Sequence, residues 1–148
     1  MPRKSVMILI IILAILFIAQ SLTAQWVNAK ASIRQPKGVG IAIYTDALGL
    51  NVCSNIDWNQ NHDDNLKPGD VIPSIIYVKN VGSTPVTLTL TTNFSPSIAE
   101  TYLAITWNYN DAVLQPNDII PVTLTLTISP STTNITNFTC EITITPKR

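Results

Sequence analysis

The chain has 148 residues, which is enough for one domain after an N-terminal segment is set aside. Only 12% of the residues are charged, and the formal net charge is zero. Phosphate backbones and anionic lipids attract basic surfaces, so this composition argues against a nucleic-acid partner and against electrostatic docking on a membrane.

The N-terminal segment has the pattern of an export signal. Arg3 and Lys4 precede an uncharged run from Ser5 to Ala24. A basic start followed by a long apolar run is typical of a signal peptide or a signal anchor, and about 20 helical residues cross a bilayer. The basic residues should stay inside, so the remainder should be exported to the cell surface, membrane-anchored or secreted. Both alternatives stay open: residues 1–24 are removed, or they persist as a hydrophobic helix that binds the membrane through residues 5–24.

The next segment, residues 25–38, reads QWVNAKASIRQPKG. It shows no clear period and ends in Pro-Lys-Gly, which favours a linker or an arm. Residues 39–148 form the predicted domain.

Seven short strands are predicted in this domain, separated by turns rich in Pro, Gly, Asn and Asp. No segment shows a sustained helical period. The pattern predicts an all-β fold, an antiparallel β-sandwich that is immunoglobulin-like or jelly-roll-like. The predicted strands are 39–45, 51–56, 71–79, 85–92, 101–109, 119–128 and 138–145.

Alternation of aliphatic residues with Thr predicts which side chains face the core. We expect Trp107 in the core and Trp58 near it. The predicted inward rows are Val86, Leu88 and Leu90; Leu103, Ile105, Trp107 and Tyr109; Val122, Leu124, Leu126 and Ile128; and Phe138, Cys140, Ile142 and Ile144.

A polar connection, DWNQNHDDNLKPGD at residues 57–70, is the strongest candidate for a ligand site. Its alternating oxygen ligands suit a hard cation such as Ca²⁺. An EF-hand would need Gly and Glu where the chain has His62 and Pro68, so this is not an EF-hand. The alternative is a connection whose Asp and Asn side chains bind local backbone. The candidate calcium ligands are Asp57, Asn59, Asn61 and Asp63.

Nothing in the chain predicts an enzyme. His62 is the only histidine, and it lies in this hydrophilic connection without a nucleophile motif nearby. We therefore expect no catalytic residues and no cofactor other than the candidate calcium ion.

Two kinds of covalent modification are expected in an exported chain. Cys53 and Cys140 are the only cysteines, so they should form a disulfide. The alternative is a pair of buried free thiols. Three sequons at predicted turns or strand starts are candidate glycosylation sites, namely those of Asn93, Asn134 and Asn137.

Several segments occur in an order found in one group of proteins: IYTD (43–46), IDW (56–58), KPGD (67–70), YVKNVGSTPVTLTL (77–90), YLAITWNYND (102–111), LQPND (114–118) and PVTLTLTIS (121–129). In these segments the exported part resembles small exported β-sandwich proteins of archaea, similar to TasA/camelysin-type fibre proteins and archaeal bundling pilins. The stretch NQNHDDNLK departs from that pattern by lengthening one loop. The resemblance implies a non-enzymatic structural protein that joins subunits by donating a strand.

We therefore expect a structural protein of the cell surface, self-assembling into a filament or surface layer by strand donation. The alternative is a monomeric extracellular binding module that captures a cation, glycan or peptide through residues 57–70. A filament subunit should need its arm, whereas a binding module should need the loop.

Overall fold

The computed structural model describes residues 28–34, 38, 40–61, 66–132 and 137–147. The predicted N-terminal helix lies outside these residues. The described chain forms eight strands and two short 3-10 helices. The strands are β1 Asn28–Arg34, β2 Ile41–Tyr44, β3 Asn55–Asp57, β4 Val71–Asn80, β5 Thr87–Ser95, β6 Leu103–Trp107, β7 Ile119–Ile128 and β8 Asn137–Lys147, and the 3-10 helices are η1 Trp58–Asn61 and η2 Ser97–Thr101.

The strands form two four-stranded sheets, with orders β3-β1-β8-β5 and β2-β4-β7-β6. Every pairing of these strands is antiparallel except that of β1 with β8. The prediction of an all-β fold is confirmed, and all seven predicted strands overlap an observed one. The eighth strand, β1, covers Asn28–Arg34 and so lies within residues 25–38, the segment predicted to be a linker or an arm.

The two sheets share one apolar core, as expected for a β-sandwich. The inward rows of β7 and β8 are buried at every predicted position. Burying an aliphatic side chain contributes about 1.5–3 kcal/mol, so these two central strands supply much of the stability. Two tryptophans exchange their expected places: Trp58 is fully buried, whereas Trp107 only packs half-buried against the core.

Two prolines lie inside central strands, where a missing N–H would normally break a ladder. Pro73 is in β4, but the pairing of β2 with β4 covers only Tyr77–Asn80 of β4. Pro121 is in β7, and the pairing with β6 begins at Leu124. Each proline therefore lies where the strand on one side is absent, so on that side no ladder hydrogen bond requires a backbone N–H donor.

Asn80, at the end of β4, is a buried polar residue with a complete set of partners. Its side-chain amide donates to the carbonyl oxygens of Thr84 and Leu114, at 2.9 and 3.0 Å. Its side-chain oxygen accepts from the Gly82 N–H at 2.9 Å. Buried polar groups are tolerated when they are satisfied in this way. The residue joins the turn after β4 to the loop before β7.

Candidate functional site: strand β1 and the groove beside it

Strand β1 lies inside its sheet, although it is the first described strand. It pairs in parallel with β8 over seven residue pairs, from Asn28↔Asn137 to Arg34↔Thr143. On its other side, Lys30, Ala31 and Ser32 pair antiparallel with β3. The alternation of small apolar and polar residues in NAKASIR suits this position, since one face of β1 is buried and the other is exposed.

Main-chain contacts hold both ends of β1. The Ala29 N–H donates to the side-chain oxygen of Asn59 at 2.8 Å, and the Ile33 N–H donates to the Ser54 carbonyl oxygen at 2.8 Å. The buried side chains are Ala29, Ala31 and Ile33. Two of these are alanines, so β1 contributes little apolar area per residue, and backbone pairing is a large part of its attachment.

Two ion pairs lie on the exposed face of β1. Lys30 Nζ is 4.0 Å from Asp57 Oδ2, and Arg34 donates to Glu141 Oε1 at 3.2 Å. Exposed pairs of this kind typically contribute about 0–1 kcal/mol. They fix the register of β1 against β3 and β8 more than they stabilise it.

A groove runs along this exposed face. Its volume is about 580 Å³. Its walls combine a cation, a carboxylate, hydroxyls and an amide, which could bind a polar ligand by hydrogen bonds. The polar lining residues are Lys30, Ser32, Asn55, Asp57 and Thr139. A second groove of about 530 Å³ adjoins it, with Lys30 and Thr139 in both linings.

The described calcium candidates contact local backbone. Asp57 Oδ1 accepts from the Asn59 N–H at 3.1 Å, and Asn59 Oδ1 accepts from Ala29. Asn61 belongs to η1, and Asp63 lies outside the described residues. Within the part of the chain that the structure describes, no three or more His, Cys, Asp or Glu residues form a metal-binding group. The described geometry is that of an Asx-rich connection.

The predicted disulfide is not formed, because Cys53 and Cys140 are both free and buried. Cys53 precedes β3, and Cys140 lies in β8 beside Ala31 of β1. Since β1 separates β3 from β8, those strands are about 10 Å apart, whereas bonded cysteines have Cα atoms within about 7 Å. The strand that separates them, β1, was not among the strands predicted from the sequence.

The environment of each thiol favours its protonated form. Burial raises the pKa of Cys53, although a backbone hydrogen bond with Asn55 opposes the shift. Burial likewise raises the pKa of Cys140, from 9.0 to about 11. A thiolate is the reactive form of cysteine, so neither residue is an activated nucleophile.

The glycosylation candidates lie on or beside the same sheet. Asn93 is exposed within β5, paired with Glu141, and is not at a turn as predicted. Asn137 is exposed at the start of β8 and lines the second groove. Asn134 lies outside the described residues. A glycan on Asn137 would therefore cover the groove.

Trp58 links the 57–70 connection to the core. Its side chain is fully buried, and its indole N–H has no hydrogen-bond partner among the described residues. An unsatisfied buried donor typically costs about 1–3 kcal/mol. In the sequence, this buried residue is the aromatic residue of IDW, and in the structure it starts η1 directly after β3.

Among the described residues, no helix is long and apolar enough to cross a membrane. No protein-family model matches the chain, and no curated protein is significantly similar to it. The archaeal fibre-protein resemblance therefore stays a prediction.

Proposed function

We propose that the chain is a non-enzymatic structural subunit of an exported surface assembly, and that subunits join by exchanging β1. The observation that carries the proposal is the place of β1: the first described strand lies between β3 and β8, antiparallel to β3 and parallel to β8. In the exchanged form, β1 of one copy occupies this gap in the next copy.

Exchange conserves the contacts of β1. The same seven pairs with β8 and the same hydrogen bonds at Ala29 and Ile33 form whether the strand comes from the same chain or from a neighbour. The energetic difference is confined to the connection between β1 and β2 and to the entropy of association. A head-to-tail exchange that does not close into a ring produces a fibre.

The uncharged run from Ser5 to Ala24, behind Arg3 and Lys4, supports export and a position at the membrane. An anchored chain concentrates its copies on one surface, which favours exchange between neighbours.

A cysteine pair across β1 and β3 tests the proposal. Ser32 and Asn55 are directly opposite in this antiparallel pair and are exposed. In natively exported Ser32→Cys/Asn55→Cys protein, exchange would link different chains and give a ladder of covalent oligomers on a non-reducing gel. The matched control is Thr91→Cys/Thr143→Cys, opposite residues of β5 and β8, which should link within one chain. Monomers alone from both variants would refute exchange.

A monomeric binding module is the second candidate, favoured by the polar groove at Lys30 and Asp57. If residues 57–70 bind Ca²⁺, calorimetric titration should detect binding to the wild type. The heat should disappear in Asp57→Ala/Asp63→Ala. Binding that is equal in both proteins would place the ion elsewhere, and no binding to either would remove calcium from this proposal.

A further inference from the structure

The outer faces of the two sheets differ in chemistry. On the sheet that contains β1, Thr, Asn and charged residues alternate outward along β5 and β8. On the other sheet, the outward row of β4 is largely apolar, with Val71 61% and Ile75 58% exposed. Exposed aliphatic side chains that form a contiguous patch mark an interaction surface, whereas scattered ones are ordinary. We name as the apolar face Tyr44, Val71, Pro73, Ile75, Tyr77 and Pro121.

Register shows that these residues are contiguous. Tyr44 pairs with Tyr77, and Tyr77 pairs with Pro121, so one cross-strand row spans β2, β4 and β7. The loop after β2 extends this surface, because Gly49 lies against the Tyr44 ring and Ile119. Leu48 and Leu50 in that loop are 78% and 72% exposed.

We infer that the apolar face binds the same face of a second copy of this chain, with the two β4 strands antiparallel across a two-fold axis at Ile75. Flat sheet faces pack on each other at about 10 Å, with interdigitated side chains. Val71 and Lys79 are each four positions from Ile75, so the axis brings position 71 of one copy over position 79 of the other. It likewise brings Pro73 over Tyr77.

Charge and area both favour a second copy. Lys79 is the charged residue of the outward row of β4, and Asp70 directly precedes Val71 at the opposite end. The two-fold axis therefore places the Lys79 end of each copy over the Asp70 end of the other, which is a complementary arrangement. The strands of this sheet have 4, 10, 5 and 10 residues, 29 in all, so strand spacings give the sheet an area of roughly 500 Å². The exposed loop after β2 adds to this area, toward the ~800 Å² per partner of a standard interface.

This contact is separate from exchange of β1, which lies in the other sheet. Cross-linking distinguishes the two, because a single cysteine yields dimers only, whereas the Ser32→Cys/Asn55→Cys pair yields ladders.

The test uses the full chain, extracted in mild detergent, with one cysteine introduced at Ile75. Since the axis places Ile75 opposite itself, copper-phenanthroline oxidation should produce a disulfide-linked dimer at least tenfold faster than for Thr91→Cys. Thr91 is exposed on the outer face of β5 and reports random collisions. The native cysteines are buried in both variants. Adding Lys79→Glu to Ile75→Cys should slow dimer formation by about two- to fivefold, as expected for loss of exposed charge pairs.

Equal rates for Ile75→Cys and Thr91→Cys, or no dimer from Ile75→Cys, would overturn the inference. Protection of the introduced thiol from alkylation by phosphatidylcholine vesicles, without dimer formation, would also overturn it and assign the face to a lipid surface. A folded Ile75→Lys variant that sediments as a monomer, beside a dimeric wild type, would support it.

Discussion

The carboxylate of Asp46 has a structural role that its residue type alone does not reveal. Asp46 accepts hydrogen bonds from the N–H groups of Asn51, Leu48 and Leu50, at 2.7, 2.9 and 3.2 Å. These bonds, first among them the one from Asn51, lower the pKa of Asp46. In the sequence, Asp46 is the last residue of IYTD and directly follows a predicted strand. In the structure, the same carboxylate organises the loop beside the apolar face.

The pKa of Cys140 predicts a pH effect on stability. Its folded pKa is raised from 9.0 to about 11. The contribution of the protonated Cys140 thiol to the free energy of unfolding is fully present below pH 9. It is lost as the pH rises through about 11, because in that window the thiol ionises easily only in the unfolded chain. At about 1.4 kcal/mol per pKa unit, the loss should reach about 2–3 kcal/mol.

Urea denaturation under reducing conditions, at pH 8 and pH 11, measures this loss. Cys140→Ala should be less stable at pH 8 because it leaves a small cavity. Its stability should nevertheless fall less between the two pH values than that of the wild type. Parallel pH profiles for the two proteins would contradict the assignment.

At the scale of elements, β4 and β7, the two longest strands of the β2-β4-β7-β6 sheet, are each preceded by a turn with the same hydrogen bonds. In KPGD, the Asp70 N–H donates to the Lys67 carbonyl oxygen at 3.1 Å. The Asp70 carboxylate accepts from the Lys67 N–H at 2.7 Å. QPND repeats both contacts between Asp118 and Gln115, at 3.0 and 2.8 Å. The third residue is left-handed in each turn, with φ of 96° at Gly69 and 70° at Asn117, as type II turns require.

The two turns predict opposite effects of substitution. Gly69→Ala should destabilise the fold by about 1 kcal/mol, since an L side chain is strained at this φ. The nearest atom to the added Cβ is 4.0 Å away, so the loss reports backbone strain and not a clash. Asn117→Gly should be neutral or slightly stabilising. Thermal melts of both variants beside the wild type check this. Equal destabilisation by the two changes would show that φ does not control these turns.

Much of this architecture follows from local pattern, and some of it does not. Alternation identified β7 at its observed bounds, and the turn signals located β4 and β8. It failed for β1, whose alternating row contains Ala29 and Ala31, because Ala has weak strand preference and little apolar area. The partner of β1 is β8, about a hundred residues away, and a local window contains no trace of that pairing. The disulfide prediction failed for the same reason.

The polar connection shows a similar limit for the candidate site. Its ligand chemistry was visible in the sequence, but the use of its side chains was not. Asn59 was predicted as a calcium ligand, and in the structure its side-chain oxygen accepts a hydrogen bond from the Ala29 N–H of β1. The sequence shows which oxygen ligands this connection contains. Which group each oxygen binds depends on which strand packs against the connection in the fold.

At the scale of the whole molecule, β1 completes the fold. It is the strand that joins β3 to the rest of its sheet. Removing it would expose unpaired groups on β8 and open the core beneath Ala29, Ala31 and Ile33. Since domains are stable by only about 5–15 kcal/mol, loss of a central strand should exceed what the remaining contacts can offset.

We therefore predict that a chain beginning at Gly38 does not fold stably alone, and that a peptide of residues 25–37 restores it. The peptide should rebuild the main-chain pairing with β3 and β8, which is the contact that exchange would use. Near-ultraviolet circular dichroism and thermal melting, with and without peptide, measure the rescue. The matched control is the same peptide with Ala31→Asp, which places a charge at a buried position opposite Cys140 and Ile56 and should fail to rescue. If the chain beginning at Gly38 melts like one beginning at Gln25, β1 is dispensable, and the gap between β3 and β8 is not a receptor for a donated strand.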